Sequence, residues 1–253
     1  MPDHRIGMIV PSSNLTMETE IPRMLRARET LHPEERFTFH SARTRMRQVT
    51  PEELREMNAQ SDRAAAELAD ARPDIVTSAC LVAIMAQGPG YHCTAEDAIS
   101  TVLRTHNATA PVVSSAGALL TALSALRVRR VAILTPYLKP LTRTVITYIE
   151  NAGFEVVDSL SLEVPDNLAV ARLDPADLEE HWRRLDLRRA EALVVSACVQ
   201  MPSLPVIQRI EDQAPVPVLS AATATTFSVL RELGVATTVP DAGHLLSGAV
   251  SPA

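Results

Sequence analysis

Short apolar runs alternate along this chain with longer segments whose apolar positions recur at helical spacing. Arg5-Ile6-Gly7-Met8-Ile9-Val10 predicts a strand buried on both faces, and Pro11-Ser12-Ser13-Asn14 a polar loop after it. A helix is expected over residues 16–28, capped by Thr16 or Asn14, with Glu18 and Glu20 near its positive end. Residues 37–43 alternate as a second strand. Thr50-Pro51-Glu52-Glu53 marks the start of one helix running to about Ala71, with Leu54, Met57, Ala64 and Leu68 facing inward. Asp74-Ile75-Val76-Thr77-Ser78 is a strand that runs into Ala79-Cys80. After the Gly88-Pro89-Gly90 loop come a helix over 95–106, a strand over 110–115 and a helix over 116–126.

The pattern then restarts. Residues 130–137 echo 5–12: a basic residue, a buried strand, a proline and a polar loop position. Residues 138–152 form a helix closed by Gly153, 154–158 a strand, and Asn167 falls in the loop beyond 160–164. Residues 174–187 read as helical. Glu191-Ala192-Leu193-Val194-Val195-Ser196-Ala197-Cys198 repeats the Ser-Ala-Cys strand end, and 216–222 echo 110–116 before a helix to about Leu233. Three echoes in one order imply an internal duplication. Alternating strands and helices imply α/β architecture with parallel sheets. The expected fold is two Rossmann-like parallel-sheet halves related by a pseudo-twofold axis. Ligands in such sheets bind beyond the carboxyl ends of the strands. Asn14, Cys80, Ser115, Tyr137, Cys198 and Ser220 all follow strands there, so the two halves should share one cleft.

Composition narrows the function. The 253 residues are 46% hydrophobic, 21% charged and 3% aromatic, as in a globular protein with an aliphatic core. Net charge is −6, which argues against nucleic acid as a partner, and the Arg43, Arg45, Arg47 run reads as a solvated face. No apolar run reaches the roughly 20 residues of a membrane helix, and no signal peptide is evident. The expected location is cytoplasmic, where the three cysteines stay reduced.

Those cysteines carry the chemistry. A thiol past a strand end can sit at a helix N-terminus, where backbone N–H groups favour the thiolate. It can then act as nucleophile or proton-transfer group. A lone buried cysteine is commonly just a small hydrophobe, but Cys80 and Cys198 occupy matching places in the two repeats. Cys93 has no echo and is expected to be structural. The histidines and cysteines show no metal-ligand spacing, and there is no dinucleotide fingerprint, phosphate loop or nucleophile elbow. No metal or cofactor is expected. Ser12, Ser13, Asn14, Ser114, Ser115, Tyr137 and Asn167 offer neutral donors for an anion, alongside the backbone amides of Leu81, Val82, Val199 and Gln200.

Two cysteines at strand ends of duplicated halves resemble the aspartate/glutamate racemase superfamily. Within it, the segments Ile9-Val10-Pro11-Ser12-Ser13-Asn14, Ala79-Cys80-Leu81-Val82-Ala83, Leu134-Thr135-Pro136-Tyr137 and Cys198-Val199-Gln200-Met201-Pro202-Ser203-Leu204-Pro205 are similar to those of maleate cis-trans isomerases. The resemblance implies isomerisation of maleate to fumarate. Cys80 would attack the alkene to give a succinyl-cysteine adduct, with Cys198 as acid, base or stabiliser. It also implies that Asn14, Tyr137 and Asn167 hold the carboxylates with the Leu81 and Val82 amides. Residues 1–116 with 221–253 would form one half and 117–220 the other, in a homodimer. Racemases typically place Asn-Thr and Thr-Glu after the two cysteines; Leu81-Val82 and Val199-Gln200 stand here, which disfavours the alternative, a two-thiol racemase of an acidic amino acid. Arylmalonate decarboxylase, which lacks the first cysteine, is disfavoured too.

Overall fold

The computed structural model describes residues 3–250. In chain order the first part holds β1 (Asp3–Pro11), α1 (Met17–Arg28), β2 (Arg36–Thr44), α2 (Pro51–Asn58), α3 (Ser61–Ala69), β3 (Ile75–Ser78), α4 (Leu81–Met85), α5 (Tyr91–Thr105) and β4 (Val112–Ser114). Then come α6 (Ser115–Ala125), β5 (Arg130–Thr135), α7 (Lys139–Asn151), β6 (Glu155–Ser161), α8 (Asn167–Val170) and α9 (Leu178–His181). The chain finishes with β7 (Ala192–Ser196), α10 (Ile207–Glu211), β8 (Val218–Ser220) and α11 (Ala221–Glu232), with short 3-10 turns between.

The strands make two four-stranded sheets, ordered β2-β1-β3-β4 and β6-β5-β7-β8, and every neighbouring pair is parallel. The echoed segments fill equivalent places: β1 matches β5, β3 matches β7 and β4 matches β8. The apolar runs are continuous because helices cover both faces of each sheet; Ile6, Met8, Val10, Ile133 and Val194 are fully buried. No described helix is long and apolar enough to cross a membrane.

The expected single helix from 51 to 71 is two. Leu54 and Met57 of α2 pack into the main core, whereas Ala64, Ala65 and Leu68 of α3 pack into a separate cluster with Ile9, Val76, Ile99 and Leu103. One straight helix could not serve both. Gln60 sits at the break, where its side chain donates to the Glu56 carbonyl at 3.0 Å and accepts from the Arg45 amide at 2.9 Å. The expected helix over 174–187 is likewise a chain of short turns, Pro175–Asp177, α9 and Trp182–Arg184. It is anchored at intervals by the buried Leu178, Trp182 and Leu185. The α5 helix begins four residues earlier than expected, at Tyr91, after Gly90, whose φ of +73° suits glycine. This places Cys93 on the first turn of α5, exposed, so it has no structural role in the core.

Beyond its own sheet, α11 packs against α6 and α1 and touches β3 and β4. Arg28, fully buried at the end of α1, forms a two-pronged ion pair with Glu35 at 2.7 Å and donates to the Thr238 carbonyl at 2.9 Å.

Candidate active site

Cys80 is the N-cap of α4, in extended backbone conformation with φ −112° and ψ 137°. Cys198 follows β7 by two residues. Both are buried, at 8% and 5% exposure. The amides of Val82 and Ala83 lie near enough to favour charge on the Cys80 sulfur, and those of Gln200 and Met201 to favour it on Cys198, though none closes a capping hydrogen bond to Cys80. Val82 and Ala83 are the second and third helical positions, the amides that an N-cap side chain approaches.

Burial overrides these dipoles. Burial first and charge on Cys198 second bring the Cys80 thiol up from 9.0 to about 12, against the lowering by Ala83 and Val82. Cys198 is also raised, chiefly by burial, with the Tyr137 hydroxyl and the Gln200 and Met201 amides opposing. At rest both sulfurs are therefore neutral thiols rather than the thiolates that helix-terminal placement suggested.

Tyr137, at 5% exposure, stands beside this pair. Its hydroxyl is pushed well above 10.0, first by burial and then by the charge of either cysteine. The hydroxyl influences Cys198, yet no atom meets it with hydrogen-bond geometry. It is a buried donor without an acceptor. Asn14 is buried at 3%, and its Oδ1 accepts from the Thr16 and Met17 amides at 3.0 and 2.8 Å. The carbonyl end thus caps α1, which leaves the amide nitrogen for other work. Asn167 starts α8, on the far side of the cleft, and its Nδ2 donates to Ser13 Oγ at 2.8 Å.

Other expected donors are spent on the scaffold. Ser12 Oγ exchanges hydrogen bonds with the backbone of Met46 at 3.0 and 3.1 Å. Ser114 caps α6 and Ser220 caps α11. Ser115 Oγ is buried and unpartnered. Arg43, read from sequence as a solvated residue, donates to the carbonyls of Ser12 and Asn14 at 3.0 and 3.4 Å and pairs with Glu18, bracing the loop after β1. Tyr137 and Asn167 face a cavity of about 300 Å³ walled by Val49, Pro51, Leu138 and Leu141. Neither thiol lines it.

Residues 6–246 match the family model described as arylmalonate decarboxylase. The maleate isomerase of Geobacillus stearothermophilus is 57% identical, over 96% of this chain and 97% of its own length. The chain belongs to the maleate isomerase family. The crystal structure of a maleate isomerase from Pseudomonas putida S16 with maleate superposes with a TM-score of 0.96 at 51% identity, covering 98% of this chain and 99% of that one. A mutant of the Nocardia farcinica maleate cis-trans isomerase with a covalently bound succinylcysteine intermediate gives 0.93 at 47% identity, covering 97% and 99%. Arylmalonate decarboxylase, at 20% identity and a TM-score of 0.72, shares the fold.

Within this maleate isomerase framework, the sequence pointed to Gln200 only for its backbone. Its side chain accepts from the Leu15 amide at 2.9 Å and donates to the Ser13 and Asn167 carbonyls at 3.0 and 2.9 Å. Ser13, read as a donor for an anion, instead receives Asn167 Nδ2 at its hydroxyl, and Ala83 had no expected role. Nothing local in sequence signals the reach of Gln200.

Proposed function

We propose that this chain isomerises maleate to fumarate by reversible addition of Cys80 to the alkene. The observation that carries this reading is the pairing of two buried thiols whose charges oppose one another, beside an unpartnered Tyr137 hydroxyl. Because a thiolate at Cys198 disfavours one at Cys80, the pair carries a single negative charge when active. One sulfur is then the nucleophile and the other the acid.

The Cys80 thiolate forms a C–S bond to one alkene carbon as the π bond breaks. The electron pair moves to the other alkene carbon and into its carboxylate. Cys198 gives its proton to that carbon, leaving a succinyl thioether on Cys80 and a thiolate at Cys198. The former double bond is now single and turns. Cys198 takes a proton from that carbon, now the hydrogen it carried originally, the C–S bond breaks, and the trans alkene leaves with Cys80 again a thiolate. Ionising Cys80 from about 12 at pH 7 costs about 7 kcal/mol. That fits within the barrier of about 16 kcal/mol that corresponds to a turnover of ~10 per second.

Asn14, Tyr137 and Asn167, with the amides of Leu81 and Val82, hold the two carboxylates in this reading. Their support is neutral donor chemistry, with no lysine or arginine lining the cavity at Tyr137 and Asn167. The succinylcysteine of the Nocardia relative supports the covalent step. The reading also divides the chain into residues 1–116 with 221–253 and residues 117–220, and takes the protein as a cytoplasmic homodimer that handles neither nucleic acid nor membrane. Light scattering of the purified protein tests the dimer.

Proton NMR of the protein with maleate in D2O tests the function, with aspartate and glutamate enantiomers in parallel tubes. Fumarate should form, carry deuterium, and be absent with Cys80→Ser. Unchanged maleate together with loss of an amino-acid α-proton would replace the isomerase by a racemase. Cys198→Ser should accumulate protein heavier by one maleic acid, seen by mass spectrometry.

A further inference from the structure

Three segments meet at Gln200, two residues beyond Cys198, and its side chain joins them. The first is the loop after β1, carrying Ser13 and Asn14. The second is the start of α8, carrying Asn167. The third is the turn after β7, carrying Cys198 and Gln200. Gln200 is 3% exposed, and its carboxamide is filled by backbone from both sides of the cleft. Oε1 accepts from the Leu15 amide at 2.9 Å, while Nε2 donates to Ser13 O at 3.0 Å and Asn167 O at 2.9 Å. Its own carbonyl accepts from Thr16 Oγ1 at 2.7 Å, and its own amide faces the Cys198 sulfur. The Asn167 side chain adds a parallel tie to Ser13 Oγ at 2.8 Å.

We propose that Gln200 is a positioning residue that sets the spacing of the Asn14 and Asn167 segments and seals the thiols between them. The inference rests on the reading of Asn14 and Asn167 as carboxylate holders. A carboxamide is required chemically: the contact to Leu15 needs an acceptor, and the contacts to Ser13 and Asn167 need two N–H donors on one nitrogen. Glutamate has the right shape and the wrong donors. It would aim an oxygen at two carbonyl oxygens and force the segments apart. Methionine keeps the volume and removes every tie.

The test measures Gln200→Glu and Gln200→Met for maleate kinetics, for iodoacetamide labelling of Cys80 and Cys198 read by peptide mass spectrometry, and for melting temperature. Both variants should raise KM about tenfold to a hundredfold, the scale of a small misplacement of binding groups. Both should label the two cysteines about tenfold faster than the parent, and maleate should no longer protect them. Lowering the pH should partly rescue Gln200→Glu but not Gln200→Met, because a protonated carboxyl regains one donor. A lowered melting temperature with parental KM and parental labelling would reduce Gln200 to a fold contact and overturn the inference. Should neither variant fold, Gln200→Asn decides, since a carboxamide one methylene shorter cannot reach Leu15, Ser13 and Asn167 together. A rise in KM supports the inference and parental constants overturn it. The labelling comparison needs no turnover, so failure of the parent on maleate would sink the functional reading separately.

Discussion

Iodoacetamide labelling of the resting protein across pH decides whether burial or the helix terminus controls Cys80. The thiol stands at about 12 against 9.0 for a free one. That difference makes its thiolate about a thousandfold scarcer below pH 9. A more basic thiolate is intrinsically more nucleophilic, which returns about twentyfold of the loss. Cys80 should therefore label about fiftyfold more slowly than a free thiol before any steric hindrance. Its rate should climb about tenfold per pH unit through pH 9 without levelling. Cys93, exposed on α5, serves as an internal reference and should label first. Peptide mass spectrometry at timed quenches gives each rate separately. A plateau for Cys80 below pH 9 would mean a preformed thiolate, and would refute the argument that desolvation outweighs the Val82 and Ala83 amides.

Three further outcomes follow from the same structure. Tyr137→Phe removes a buried hydroxyl that has no partner, so the melting temperature should not fall, while kcat/KM for maleate should drop about tenfold to a hundredfold, the worth of a hydrogen bond to a charged group; a stability loss with intact activity would contradict this. Glu20 is raised above 4.5, mainly by burial and against the amides of Leu204 and Ser203. Because its folded value exceeds the unfolded one, its contribution to stability is fully present below pH 4.5 and is lost as pH rises. Glu20→Gln should melt higher than the parent at pH 7 and equal to it near pH 4, and a gain of the same size at both pH values would show that titration is not the cause. Arg28→Ala strands the buried Glu35 and frees the Thr238 carbonyl, so urea unfolding should show a loss of about 3–5 kcal/mol, and a loss under about 1 kcal/mol would remove the ion pair from the list of what holds α1.

The sheets were legible because each central strand is buried on both faces and so must be apolar without interruption, as in residues 6–10 and 192–195. The duplication was legible because both sheets solve the same packing problem with similar words. Helix boundaries were harder. The break at Gln60 depends on α2 and α3 serving two different cores, a tertiary fact absent from the local pattern. The site's members were legible as residues following strands, with Cys80 as helix cap. Their charge state was not: a motif shows the dipoles near a sulfur, while the overriding desolvation comes from the whole enclosure. The span of Gln200 was hidden for a similar reason, since its partners Leu15 and Asn167 lie 185 and 33 residues away.

The position of α11 bears on the order in which the chain is made. The helix leaves β8, the last strand, yet packs on α1 and α6 and reaches β3 and β4, all synthesised long before. At translation rates of roughly 5–20 residues per second, about 10–40 seconds separate the emergence of α1 from that of α11. Throughout that interval the surface α11 will cover is open to water, and the Thr238 carbonyl that anchors Arg28 does not yet exist. Nascent chains stopped before residue 221 should therefore be sticky and readily cut by protease, and native resistance should arrive late and all at once with the final thirty or so residues.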